Sequence, residues 1–359
     1  MELSTLLTEM VQRQASDLHL VAGMPPIFRV HGELVPHTTP VKPTDLLEAG
    51  AVEDLLSPYL SDLQKAQLVE RDLRVTLRQD QSVFHCQVFR ERGRLAAAIR
   101  VVPSRVWSVD ELGLPPVLER LTHTLRGLIL VTGPAGSGKS TTVAGMIEHI
   151  NRTRKERIIT VEDPIQYEFS SKLSLITQRQ VGEDVESYEQ GLLSAMTSDL
   201  DVALIGELRD LETVRLALVL AETGHLVFST LSVETVSEAV QRLIEVFPEP
   251  RATIRRLLAR TLQAVIAQKL IPASAEYKAQ TSQGRLAANE ILIMTQRVRQ
   301  MVLEEQTDFT LAMEAGRGDG MQTMDAAILD HYRAGRISYD VAALSLEDRT
   351  RLGPPPPVS

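Results

Sequence analysis

The apolar positions follow two different rhythms along the 359 residues. Up to about residue 102 they mostly alternate with polar ones in short runs, the period of half-buried strands. One helix opens this part, with Leu3, Leu6, Leu7, Met10 and Val11 on one face of a stretch running from Leu3 to Gln14. Strands are expected over 16–20, 27–30 with a return at 33–34, 73–77, 82–89 and 95–101, and helix over 43–67 with a break at Pro58. The pattern predicts a small α+β domain over residues 1–102. Pro103, Gly113, Pro115 and Pro116 then punctuate a stretch of little periodicity, read as a linker over 103–117.

From residue 118 the rhythm changes. Continuous apolar runs at 127–132, 157–162, 173–178, 201–206 and 225–230 alternate with helical patterns at 139–151 and 187–197. A further helix shows Leu211, Val214, Leu218 and Ala221 at spacings of three and four. Strands alternating with helices predict an α/β domain on a mostly parallel sheet. Beyond Val236 the pattern reads as mainly helical, with one β-like stretch over 284–294. The second domain is taken as 118–346. The tail, 347–359, ends in four prolines and a Val-Ser, and is expected to be disordered or polyproline II.

Charge and cysteine usage narrow the function classes. A net charge of −9 argues against nucleic acid as the main partner, because phosphate backbones need a clustered basic face. The single cysteine, Cys86, permits no internal disulfide, fits a cytosolic chain and reads as a small buried hydrophobe. No signal peptide is expected, and no apolar run is long enough to span a membrane. Any membrane association is therefore expected to be peripheral and made through a partner. His19, alone in a short strand, reads as structural.

The stretch that carries chemistry is Gly133-Pro134-Ala135-Gly136-Ser137-Gly138-Lys139-Ser140-Thr141, which fits G-x-x-x-x-G-K-[ST] between a strand and a helix. Its glycines let backbone N–H groups curl around phosphate oxygens, and the helix presents its positive end. Lys139 is placed to reach the β- and γ-phosphates of ATP and the Ser140 hydroxyl to ligate Mg²⁺. The second anchor of the metal is expected at the end of a neighbouring apolar strand, where Glu207 follows Asp201-Val202-Ala203-Leu204-Ile205-Gly206. Glu162 and Asp163 end another strand and are candidates to orient water or metal. His225, between a helix and a strand, is a candidate γ-phosphate sensor. Arg90, Arg92, Arg94 and Arg100 admit two readings: a solvated strand face, or arginines reaching the nucleotide of a neighbouring subunit, with Arg92 and Arg100 the candidates. Arg251, Arg255, Arg256 and Arg260 line one helical stretch, read as a solvated face or a subunit contact.

Taken together these pieces resemble the secretion-type ATPases, and most closely the PilT/PilU group that powers retraction of type IV pili. In the first domain the resemblance rests on Ala15-Ser16-Asp17-Leu18-His19-Leu20, Gly23-Met24-Pro25-Pro26 and Arg29-Val30-His31-Gly32. In the second it rests on the phosphate loop, Glu162-Asp163-Pro164-Ile165, Gln178-Arg179-Gln180-Val181-Gly182, Gly206-Glu207-Leu208-Arg209-Asp210, Ala221-Glu222-Thr223-Gly224-His225-Leu226 and Gly320-Met321-Gln322-Thr323. The resemblance implies a PAS-like first domain, a RecA-like ATPase domain and a hexameric ring. It also implies a cytoplasmic motor at the inner membrane, acting on a pilus platform protein, with a paralogous ATPase as a further candidate partner.

The departures concern hydrolysis. The family's motif reads Glu-Asp-Pro-Ile-Glu with the second glutamate as catalytic base; that place is here Gln166, and a neutral amide takes no proton near neutral pH. The second histidine of its His box is replaced by Ser232 in Thr230-Leu231-Ser232-Val233. Met196-Thr197-Ser198-Asp199-Leu200-Asp201 lacks the usual arginine and proline, and His85 stands where an arginine is expected. Three readings stay open at this stage: a slower working motor, a nucleotide-binding helper of an active ATPase, and a scaffold ring in which nucleotide serves assembly alone.

Overall fold

The computed structural model describes every residue except His31, Ser104, 248–250, 282–283 and 355–359. His31 of the opening signature and most of the proline tail therefore lie outside the described residues. The chain divides into two units, Met1–Arg105 with Gln166–Glu168, and Val106–Ile165 with Phe169–Ser359.

The first unit is a six-stranded antiparallel sheet with helices over one face. Its strands are β1 (Ala15–Leu20), β2 (Ile27–Val30), β3 (Glu33–Pro36), β4 (Leu73–Gln79), β5 (Ser82–Glu91) and β6 (Arg94–Val102), in the order β3-β2-β1-β6-β5-β4. Alternation sends Leu73, Val75 and Leu77 inward with Phe84, Cys86 and Val88, where they meet Leu3, Leu6, Leu7 and Met10 of the helix Leu3–Gln12. Val11 is 44% exposed, so it does not share the buried face. It sits one residue before the helix ends, on the rim of the stripe.

The second unit begins earlier than the linker reading allows. Val109, Leu114 and Val117 are buried with Met146, Ile147 and Ile150 of the helix Lys139–Thr153. The prolines and glycine of 106–117 thus shape a strap that packs on the second unit's core, because apolar residues are interleaved among them.

The second sheet has seven strands: β7 (Gly127–Thr132), β8 (Arg157–Glu162), β9 (Leu175–Gln180), β10 (Val202–Ile205), β11 (Leu226–Leu231), β12 (Leu262–Pro272) and β13 (Arg285–Ile293). Their order is β13-β12-β7-β11-β10-β8-β9, parallel except for β13, which runs antiparallel to β12. Leu128, Ile129, Leu130 and Val131 of β7 are fully buried, as both faces of a parallel sheet are covered by helices. Each such side chain contributes about 1.5–3 kcal/mol by leaving water. β12 lies beside β7, in a region the sequence pattern assigns to helix. Its Ala, Gln, Lys and Leu residues are good helix formers, but burial between β7 and β13 overrides that preference.

Candidate nucleotide site

Parallel register brings the chemistry to one edge. Thr132 pairs with Leu231, Ile205 with both Ser229 and Val161, and β8 ends at Glu162. Gly133, Ser232, Gly206, Glu207 and Asp163 therefore all follow the carboxyl ends of adjacent strands, where open α/β sheets bind ligands.

The cradle depends on glycine where φ is positive and space is short. Gly133 has φ of 147°, and a Cβ there would lie 2.3 Å from the backbone oxygen of Gln268 and 2.6 Å from Ser137 Oγ. Gly138 has φ of 86° and caps the helix Lys139–Thr153, leaving its first N–H groups without side-chain caps. Lys139 Nζ donates to the carbonyls of Gly133 at 2.7 Å and Pro134 at 3.0 Å. Burial lowers the ammonium pKa, opposed by the Glu207 carboxylate. Pro134, Ala135, Gly136 and Ser140 are exposed, Thr141 is partly exposed, and Ser137 is buried with its Oγ unpartnered. An unpartnered hydroxyl, a helix N-terminus and a lysine folded onto its own loop fit a polyphosphate: each has a bond to offer or exchange.

Glu207 leads the acidic side. Its Oε2 accepts from Arg209 Nε at 2.8 Å and its Oε1 from the Ser232 hydroxyl. Burial pushes the carboxyl up, but the bonds from Ser232 and Arg209 and the charges of Arg209 and Lys139 outweigh it and hold it below the ordinary value. Arg209 Nη1 also reaches Asp163 Oδ2 at 3.2 Å. Glu162 is buried and its Oε1 accepts from Thr160 Oγ1 at 2.7 Å and Gln178 Nε2 at 3.4 Å. Gln178 and Gln180 also accept from the backbone N–H groups of Phe169 and Ile165, fixing the ends of the loop after Glu162. The Tyr188 hydroxyl packs over Gly206, where a Cβ would lie 2.8 Å away, and burial raises its pKa. Ser140 and Glu207 are the residues that would hold Mg²⁺, as a hydroxyl and an ionised carboxylate suit a hard cation.

His225 is not part of this edge. β11 runs parallel to β7, and the carbonyl of His225 accepts from the N–H of Gly127, at the amino end of β7. The ring Nδ1 sits 3.0 Å from the Leu220 carbonyl and 3.1 Å from Thr223 Oγ1. His225 thus closes the end of the helix Leu211–Thr223 and lies a full strand length from the cradle. Arg92 and Arg100 belong to the first unit. Arg92 sits in the β5–β6 turn with φ of 51° and pairs with Glu91 at 3.3 Å, while Arg100 donates to Asp17 Oδ1 at 2.8 Å. Gln166 is exposed and groups with the first unit. Sequence reasoning missed Gln268, buried beside the cradle on β12; the apolar run Ala264-Val265-Ile266-Ala267 was the signal that could have revealed that strand.

Residues 2–343 match the Type II/IV secretion system protein family. The chain belongs to that family. The chain is 38% identical over 351 residues to the type IV pilus retraction ATPase PilT of Pseudomonas aeruginosa, covering 95% of this chain and 97% of that one. It is 32% identical to the type IV pilus ATPase PilU of the same organism, covering 95% and 88%. Among solved structures, the pilus retraction motor PilT with bound ADP superposes with a TM-score of 0.86 at 36% identity, covering 98% of both chains. This member of the Type II/IV secretion family therefore consists of a small N-terminal domain and an α/β ATPase domain. Among the described residues, no helix is long and apolar enough to cross a membrane.

Proposed function

We propose that this chain is an ATP-binding motor of the pilus-retraction type that assembles as a ring, a hexamer by the family resemblance, and hydrolyses ATP slowly. The observation that carries the reading is the meeting of Lys139, Glu207 and the loop 133–141 at one sheet edge. The relatives named for pilus retraction and the neighbour solved with ADP support it. Gly133–Thr141 would take the phosphates, with Lys139 exchanging its loop carbonyls for phosphate oxygens. Mg²⁺, when bound through Ser140 and Glu207, would draw charge from those oxygens. Glu162 is the remaining carboxylate for orienting water, and Arg92 or Arg100 of a neighbouring subunit would offset phosphoryl charge. The partners proposed are a cytoplasmic ring's own copies and a pilus platform protein at the inner membrane.

Gln166 and Ser232 favour a second reading, a helper subunit that binds ATP and acts with an active pilus ATPase. Losing a general base costs a factor of about 10² to 10⁴. Calorimetric titration with ATP and Mg²⁺ tests both readings at their root. Lys139→Ala is expected to weaken ATP affinity at least about tenfold through the lost charge-assisted bonds. Equal affinity in the variant would overturn the nucleotide site.

A further inference from the structure

Residues 320–323, Gly-Met-Gln-Thr, have no part in the phosphate chemistry above, yet hydrogen bonds join them to the cradle. The Gln322 backbone bridges Ile291 of β13, accepting from its N–H at 2.8 Å and donating to its carbonyl at 3.2 Å. The side-chain Nε2 of Gln322 donates to the Asn289 carbonyl at 2.7 Å. Asn289, 1% exposed, stands opposite Gln268 in the β12–β13 ladder, and its Nδ2 donates to Gln268 Oε1 at 3.0 Å. That oxygen also accepts from Thr142 Oγ1 at 2.7 Å, in the first turn of the helix after the loop. Gln268 Nε2 donates to the carbonyl of Ser137 at 2.6 Å.

These bonds fix the Gln268 amide in one orientation. Turned over, it would set its oxygen against the Ser137 carbonyl. Gln268 thus touches the loop at its start, through the close approach of its backbone oxygen to Gly133, and at Ser137, and touches the following helix at Thr142. The bond to Ser137 has a directional consequence. In a trans peptide the N–H points opposite the C=O, so tying the Ser137 carbonyl to Gln268 turns the Gly138 N–H away from that side chain.

We propose that Gln268 is the positioning residue of the phosphate cradle and that Gln322 sets it through Asn289, so that the Gly-Met-Gln-Thr segment tunes the hold of the loop on nucleotide phosphates. The proposal rests on the nucleotide reading of 133–141, and the test separates the two. The full chain is titrated calorimetrically with ADP and Mg²⁺ as wild type, Gln322→Ala, Gln268→Leu, the double variant and Lys139→Ala. Gln322→Ala is expected to weaken ADP affinity about fivefold, the scale of one neutral hydrogen bond. Gln268→Leu is expected to weaken it further, and the double variant no more than Gln268→Leu alone. Amide exchange over 133–141 in nucleotide-free protein is expected to quicken in Gln322→Ala, which a remote loss of stability would not single out. Should Gln268→Leu fail to fold, Gln322→Ala decides alone through affinity and exchange. Wild-type affinity in Gln322→Ala, or fully additive losses in the double variant, overturns the relay. If Lys139→Ala also binds ADP as wild type does, the nucleotide reading fails with it; if only Lys139→Ala loses binding, the reading stands and the relay falls.

Discussion

Arg209 donates to Glu207 at 2.8 Å and, from the same guanidinium, to Asp163 at 3.2 Å, so one cation orients the carboxylates that follow two adjacent strands. Held this way by Arg209 and Ser232, the Glu207 carboxylate is oriented and favoured in its ionised form. Arg209→Met is expected to weaken ADP affinity about 10–100-fold in the presence of Mg²⁺, the usual cost of losing a partner behind a metal ligand. Affinity without Mg²⁺ is expected to hold within about twofold, well under the worth of one hydrogen bond. Titrations with and without the metal check it. Tighter Mg²⁺-dependent binding in the variant would mean that Arg209 competes with the metal for Glu207.

His225 makes a contrasting prediction. Its ring serves the end of a helix at the amino edge of the sheet, away from the cradle. His225→Ala is expected to leave ATP affinity unchanged and to lower stability by about 1 kcal/mol, one hydrogen bond's worth. Denaturant unfolding and titration together check it. A large loss of ATP affinity at wild-type stability would put His225 back among the nucleotide contacts.

Glu148 gives a pH signature in the helix that follows the loop. Its buried carboxylate accepts from Asn151 Nδ2 at 2.9 Å, from Arg152 Nε at 2.7 Å and from the Lys172 ammonium. Burial pushes the carboxyl up, but these donors prevail and hold it below its ordinary value. A carboxyl depressed in the folded state stabilises fully above its unfolded pKa, and that stabilisation is lost as pH falls through the folded value. Glu148→Gln is therefore expected to cost about 1–3 kcal/mol near neutral pH. The gap from wild type should narrow below about pH 4.3, where a free glutamate takes up its proton. Urea midpoints measured across that range test the sign; a gap that widens on acidification contradicts it.

The phosphate loop and the alternation of strands and helices were legible because each depends on local spacing: fixed glycines, a strand before and a helix after. What was not legible depended on which strands become neighbours. β12 carries helix-forming residues and becomes a strand because β7 and β13 flank it, so Gln268 was invisible as a loop contact. His225 looked close to the phosphates because it adjoins a strand. Only the parallel pairing of Leu226 with Gly127 shows that it adjoins the wrong end. The stretch 103–117 reads as a linker by its prolines, yet its part from Val106 on belongs to the second unit, where Val109 and Leu114 join a core. Gln166 and Ser232 were legible as departures from a resembling family. Ser232 proves to donate to Glu207.

In the proposed motor the loop secures occupancy while Gln166 would limit turnover. The most direct test is single-turnover ATP hydrolysis by the purified wild-type chain and by Gln166→Glu. Tight ATP binding with slow cleavage is expected in wild type, and acceleration by up to about 10² to 10⁴ in Gln166→Glu, the range a positioned general base supplies. Wild-type cleavage at rates of about 1–10³ per second, ordinary for enzymes, and unchanged by Gln166→Glu, would contradict it.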